Sequence, residues 1–212
     1  MTHFIYLHGF LSGPDSTKGK FFEKSFAALG RRLIIPDLNG EDFSQMTISR
    51  QLQLIDSLLG SLSGKMVLLG SSLGGYLAAF IAGKYERVVQ LVLLAPAFDF
   101  VTRYFQRLTP AQRQEWKKNG FIQLYHYHYQ EHRALGYQIV TDAQKYKNLP
   151  LNLTVPTLIF HGLNDEAVPY QVSLDFVKSH PSAELMLLHS DHGLYDQLDK
   201  MWEYIKVFLH LR

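Results

Sequence analysis

The sequence predicts an α/β protein with a mostly parallel sheet covered by helices on both faces. Runs such as Phe4-Ile5-Tyr6-Leu7, Leu33-Ile34-Ile35 and Val67-Leu68-Leu69 are continuously apolar rather than alternating, as strands buried on both sides are. Helix-length segments with apolar residues at helical spacing lie between them, so the chain reads βαβαβαβ and resumes that rhythm after an interruption. The third of these runs enters a glycine-rich corner, Gly70-Ser71-Ser72-Leu73-Gly74, and a helix-favouring stretch follows at once.

Composition bounds the function. With 212 residues, the chain suits one domain with a full hydrophobic core, taken here as residues 1–212. Hydrophobic residues make up 47% and charged residues 19%, values of an ordinary globular protein. A formal net charge of +2 leaves no polyanion footprint, so nucleic acid is not an expected partner. The absence of cysteine excludes disulfides, thiol catalysis and cysteine metal sites. No apolar run approaches membrane-spanning length and no leader pattern opens the chain, so the expected compartment is the cytoplasm.

In order, His3 to His8 reads as a first strand, followed by a loop from Phe10 to Ser16. Lys20 to Leu29 carries Phe21, Phe22, Phe26 and Leu29 near helical spacing, and Gly30 stops it. Arg32 to Pro36 is a second strand, and Thr47 to Leu62 an amphipathic helix. Lys65 to Gly70 is the third strand, the corner helix runs to about Tyr85, and Val88 to Ala95 is the fourth strand. The texture changes between Pro96 and Pro150. Asp99 to Gln106 and Pro110 to Lys118 read as helices, the second with Thr109 as N-cap. Phe121 to Tyr129 is expected to pair with Leu135 to Val140 as a hairpin. This aromatic insertion, about residues 97–148, is a candidate lid. A fifth strand then ends at His161, Tyr170 to Lys178 is helical, Ala183 to His189 is a sixth strand, and Leu194 to Leu211 a closing helix.

Gly70-Ser71-Ser72-Leu73-Gly74 is a G-x-S-x-G pattern in the strand–turn–helix setting of a nucleophile elbow, where the central serine is forced into strained backbone angles. Acyl transfer needs a nucleophile, a base, an acid group that orients the base, and donors for the oxyanion. Ser72 follows the third strand, Asp165 the fifth and His192 the sixth, the chain order Ser…Asp…His of α/β-hydrolases. The N–H groups of Phe10, after the first strand, and Leu73, after the nucleophile, are the candidate oxyanion donors. Ser71 lacks glycine at −2 and +2. Glu166 and Asp191 compete with Asp165, which is preferred at the tip of its loop. His161 and His189 read as buried structure, and His126, His128 and His132 as solvated or lid-packing histidines rather than metal ligands.

At these residues the chain resembles the α/β-hydrolase superfamily, and within it the small bacterial YqiA-like esterases. Tyr6-Leu7-His8-Gly9-Phe10, with Ser12, Pro14, Ser16 and Lys18, is similar to that group's opening, and Gly70 to Tyr76 to its elbow. His161-Gly162 through Asp165, Val168 and Pro169, with the 121–147 region, is similar to depalmitoylating and acyl-glucuronide-cleaving relatives. The resemblance implies six mostly parallel strands in order 2-1-3-4-5-6, and hydrolysis of a small-molecule ester or thioester without cofactor or metal. The chain departs from the smallest members at 97–148, which is longer and more aromatic, so the resemblance does not fix the substrate.

The sequence therefore predicts a serine hydrolase with Ser72 as nucleophile, His192 as base and Asp165 as its orienting carboxylate. Phe98, Phe100, Tyr104, Tyr125 and Tyr127 are expected to line an apolar acyl pocket. The alternatives are a C–C hydrolase or lyase using the same residues, and a non-catalytic binding protein on the same scaffold.

Overall fold

The structure is a computed structural model and describes residues 1–98, 100–146, 151 and 153–211. Strands β1 (Thr2–Leu7), β2 (Leu33–Ile34), β3 (Lys65–Ser71), β4 (Val88–Leu94), β7 (Thr157–Gly162) and β8 (Ala183–Leu188) form one sheet in the order β2-β1-β3-β4-β7-β8. Every pair of neighbours in it is parallel, as the continuous apolar runs require. The order is the 2-1-3-4-5-6 expected for the six core strands.

The strand period of two divides the apolar residues between two cores. Met66 and Leu68 of β3 face α2 (Ile48–Ser61) and α3 (Leu73–Ala82), whose Ile55, Leu59, Leu77 and Ile81 are buried there. Val67 and Leu69 face α1 (Thr17–Ala28) and α8 (Leu198–Phe208), which bury Phe22, Phe26, Met201 and Ile205. Capping decides where several helices start. Ser16 Oγ accepts from the Gly19 N–H, so α1 begins before the expected Lys20. Thr47 caps α2 through the Arg50 N–H, and Thr109 forms a capping box with Gln112 ahead of α5 (Pro110–Asn119). Corner helix α3 stops at Ala82 rather than Tyr85, and α8 starts at Leu198 because Leu194, with φ 55°, and a 3-10 turn at Tyr195–Gln197 precede it.

The insertion comprises α4 (Phe100–Arg107), α5, the antiparallel hairpin β5 (Phe121–His126) with β6 (Glu131–Gly136), and α6 (Gln138–Ala143). Asp99, the expected start of α4, and residues 147–148 lie outside the described residues. The returning strand of the hairpin is Glu131–Gly136, not Leu135 to Val140. Gln130 takes φ 55° and closes a tight turn, so pairing starts at once, and Gln138–Ala143 then turns helical to bury Ile139 and Val140. Trp116, Leu135, Ile139 and Val140 join the same apolar cluster as β3, α2 and α3. Polar anchors add to this packing: Trp116 Nε1 donates to the Leu135 carbonyl at 3.0 Å, and Asp142 accepts from the Ser49 N–H at 2.8 Å and its hydroxyl at 2.6 Å.

Candidate active site

The corner between β3 and α3 is built by steric exclusion. A Cβ on Gly70 would stand 2.4 Å from the Gly74 carbonyl oxygen, and one on Gly74 would stand 2.1 Å from that of Leu7. Only glycine lets β1, β3 and α3 approach so closely. Ser72 between them takes φ 53° and ψ −118°, a strained conformation for a non-glycine residue. It is held by its N–H on the Leu94 carbonyl at 2.9 Å, while its own carbonyl accepts from Gly75, Tyr76 and Ala97.

Three strand ends converge on this serine. Ser72 Oγ lies 3.0 Å from His192 Nε2, and His192 Nδ1 lies 2.7 Å from Asp165 Oδ2. Nδ1 therefore donates to the carboxylate, leaving Nε2 free to accept the serine hydroxyl. Asp165 Oδ1 accepts from the N–H groups of Ala167 at 2.8 Å and Val168 at 2.7 Å. Its Oδ2 also faces His161 Nε2 at 3.1 Å, and the side chain has no exposed surface. Burial alone would raise this carboxyl, but the hydrogen bonds from His161 and His192, the His192 charge and the Val168 N–H outweigh it and hold Asp165 well below the usual carboxylate range.

The rival residues are placed elsewhere. Ser71 is buried at the end of β3 against the Tyr6 hydroxyl. Glu166 is exposed, and Asp191 turns its Oδ1 onto the N–H groups of Gly193 and Leu194. His161 is fully buried, with Nδ1 2.7 Å from Ser173 Oγ and Nε2 2.9 Å from the Val168 carbonyl as well as on Asp165. His189, expected to be buried, is exposed instead, because β8 ends one residue earlier at Leu188.

On the other side of Ser72 runs the loop after β1. A Cβ on Gly9 would lie 3.3 Å from Ser72 Cβ, so the loop passes directly against the nucleophile. His8, 1% exposed, fixes the start of that loop: Nε2 accepts from the Leu38 N–H at 2.9 Å and Nδ1 donates to the Gly9 carbonyl at 3.0 Å. Leu11 takes φ 56°, and its carbonyl accepts from the Tyr127 N–H at 3.1 Å, which ties the hairpin to the loop. Among the described residues, neither the Phe10 nor the Leu73 N–H donates to a protein acceptor. Lys18 Nζ holds the Gly193 carbonyl, next to His192, at 2.8 Å and lies 5.0 Å over the Tyr195 ring. Burial lowers its ammonium to about 8, against the opposing pull of Asp191 and Asp165.

Ser72 and His192 open into a cavity of about 330 Å³ between the sheet edge and the insertion. Its apolar wall includes Phe10, Phe100, Tyr104, Tyr127 and Val168. Two residues expected there are not among its lining: Phe98 is buried, stacked on Phe176 at 4.6 Å between ring centroids, and Tyr125 is 43% exposed beside Tyr127 and His132. Phe98 lies in the turn ahead of α4 and packs into the core, and the strand period turns Tyr125 outward. Arg103 and Arg107, which the sequence reading passed over, do line the cavity; their spacing from Phe100 and Tyr104 on one helix was the available signal. Of the hairpin histidines, His126 is buried with Nε2 3.2 Å from Asn39 Oδ1, and His128 Nδ1 lies 2.5 Å from Asp15 Oδ1. No group of three or more potential metal ligands converges among the described residues. No described helix is long and apolar enough to cross a membrane.

A six-stranded parallel sheet with a strained serine at the β3–α3 corner, and a histidine and a carboxylate at two further strand ends, defines an α/β-hydrolase. Solved structures agree on the fold. Alpha/beta hydrolase domain-containing protein 10 from mouse superposes with a TM-score of 0.83 at 24% identity, covering 98% of this chain and 89% of its own. A hydrolase structure from Agrobacterium vitis S4 gives 0.82 at 26% identity, covering 98% and 87%. By sequence, palmitoyl-protein thioesterase ABHD10, mitochondrial, from Rattus norvegicus is 27% identical over 208 residues, 92% of this chain and 70% of its own. The chain belongs to the uncharacterised protein family UPF0227, whose model matches residues 3–210.

Proposed function

We propose that the protein is a serine hydrolase of carboxylic esters or thioesters. The observation that carries this reading is the hydrogen-bonded chain from Ser72 Oγ through His192 to Asp165, at 3.0 and 2.7 Å. Ser72 Oγ attacks the acyl carbonyl while His192 Nε2 takes its proton. The Phe10 and Leu73 N–H groups bind the oxyanion, the latter at the N-terminus of α3. Collapse expels the alcohol or thiol, which leaves with the proton from Nε2, and a water deprotonated by the same nitrogen then releases the acid. Asp165, ionised throughout, holds the imidazole in the required tautomer and stabilises the imidazolium. Taking the serine proton requires the neutral imidazole of His192, with Asp165 as the carboxylate beside it. Residues 97–98 and 100–146 form the cap of a one-domain enzyme, roofing the acyl site.

The named thioesterase relatives support thioester cleavage, while the cavity argues for a shorter acyl group than palmitoyl. At roughly 30 Å³ per heavy atom, about the share of one water, 330 Å³ holds on the order of ten non-hydrogen atoms. The test is hydrolysis of p-nitrophenyl esters from acetate to palmitate, with fluorophosphonate labelling, in wild type and Ser72→Ala. The expected result is an optimum at or below about ten acyl carbons, and a loss on the order of 10⁶ in kcat and of all labelling in the variant. A folded wild type that neither turns over any ester nor reacts with the probe overturns the proposal.

A further inference from the structure

The cavity beside Ser72 has an unusual charge balance. Arg103, Arg107 and His192 line it, and among the described residues no carboxylate does. Arg107 is accounted for structurally: Nη2 donates to the carbonyls of Glu166 and Ala167, the latter at 2.7 Å, and pins α4 to the Asp165 loop. Arg103, one turn earlier, is not. Its Nε is buried with no acceptor, and among the described residues its guanidinium makes no hydrogen bond or ion pair. Withdrawing a guanidinium N–H from water without a partner is costly, so such a group marks a place where the missing partner arrives with a ligand.

We propose that Arg103 is an anion-binding subsite of this cavity, and that the preferred ester or thioester carries a carboxylate or phosphate group. The proposal rests on the hydrolase reading and names the substrate class for it. A guanidinium presents its N–H groups as a planar fork that matches either anion in two parallel hydrogen bonds. Phe10, Phe100 and Tyr104, in mutual ring contact at 4.9 to 5.8 Å, supply an apolar stretch in the same cavity. The substrate that fits is therefore short, apolar in its middle and anionic at the end away from the scissile bond. Arg103 and Ser72 line the same cavity, so a single substrate can present its anion to one and its carbonyl to the other. A long uncharged acyl chain leaves the guanidinium unpaired.

Two substrate pairs separate the sources of the charge. One compares p-nitrophenyl hemiesters of succinate to suberate with their neutral methyl esters. The other compares an acyl thioester whose thiol bears a terminal phosphate with its dephosphorylated counterpart. In wild type, at least one pair is expected to favour the anion by about 10- to 100-fold in kcat/KM, the strength of a charge-assisted hydrogen bond. Added salt should shrink that ratio; Arg103→Met should abolish it, and Arg103→Lys should keep an intermediate value. Ratios near one for both pairs in wild type, or a ratio unchanged in folded Arg103→Met, overturn the proposal. Calorimetric binding of the same pairs to Ser72→Ala and to Ser72→Ala/Arg103→Met reads the subsite without turnover. Tighter binding of the anion that depends on Arg103 supports the subsite even if hydrolysis is absent, and equal binding of both members rejects it.

Discussion

Asp165 shows how much of a site can rest on one side chain. Four N–H groups converge on its two oxygens: those of Ala167 and Val168, and the ring donors of His161 and His192. His161 is the least obvious of these, since it sits at the end of β7, four residues before the carboxylate, and never reaches the cavity. Its removal leaves the Val168 carbonyl and the Ser173 hydroxyl without a partner in a buried place. His161→Phe should therefore cost about 2–5 kcal/mol in urea unfolding. The same change should lower kcat by more than it raises KM on a p-nitrophenyl ester, because it frees Asp165 rather than altering the cavity. A kcat unchanged in the folded variant would show that the other three donors hold the carboxylate unaided.

Between elements, the tightest fit is the crossing of β1, β3 and α3. The atoms that a Cβ on Gly74 would meet are backbone oxygens of Leu7 and His8, at 2.1 and 2.5 Å, so no side chain can rotate out of the way. Gly74→Ala must push α3 off the sheet and carry Ser72 with it. The expected cost exceeds about 4 kcal/mol, with loss of fluorophosphonate labelling even where the protein remains folded. At Gly60 nothing lies within 4 Å of the added Cβ, and Gly60→Ala in α2 should instead gain a few tenths to about 1 kcal/mol. Thermal melts of the two variants side by side separate steric exclusion from ordinary glycine flexibility.

For the whole molecule, the insertion is fastened to the sheet through a buried histidine. The fully buried His126 on β5 packs edge-on to Phe43 at 4.6 Å and bonds to Asn39, which in turn donates to the Ser12 carbonyl. Burial, with the nearby His128, His8 and Arg133, lowers its pKa to about 4, so it is neutral in the fold. An unfolded chain protonates it near 6.5, and between those values the unfolded state binds more protons, so stability rises with pH. Wild type should therefore lose up to about 3 kcal/mol relative to His126→Phe as pH falls from 6.5 to 4. Denaturant titrations of both proteins across that range check the sign and the window.

Local physics reaches a long way in this chain. The continuous apolar runs announce the parallel sheet because a strand buried on both faces has no polar side to show. Gly70 and Gly74 announce the elbow through their spacing about Ser72, although only the collision avoided at Gly70 is local, that at Gly74 being with β1. Boundaries were less legible where a single conformation decides them: Gln130 at φ 55° starts β6 early, and Ser16 caps α1 ahead of its apolar face. By itself, then, the sequence determined the strand order's rhythm, the strained serine and the strand ends from which a histidine and a carboxylate would come. The sequence preferred Asp165 over Glu166 and Asp191, but only the tertiary structure set it 2.7 Å from His192, sent Phe98 into the core, put Arg103 at the cavity and placed His161 against the carboxylate. Periodicity and capping act between near neighbours in the chain, whereas these choices bring together residues as far apart as Ser72 and His192, 120 positions, and follow from the register and packing of the completed sheet.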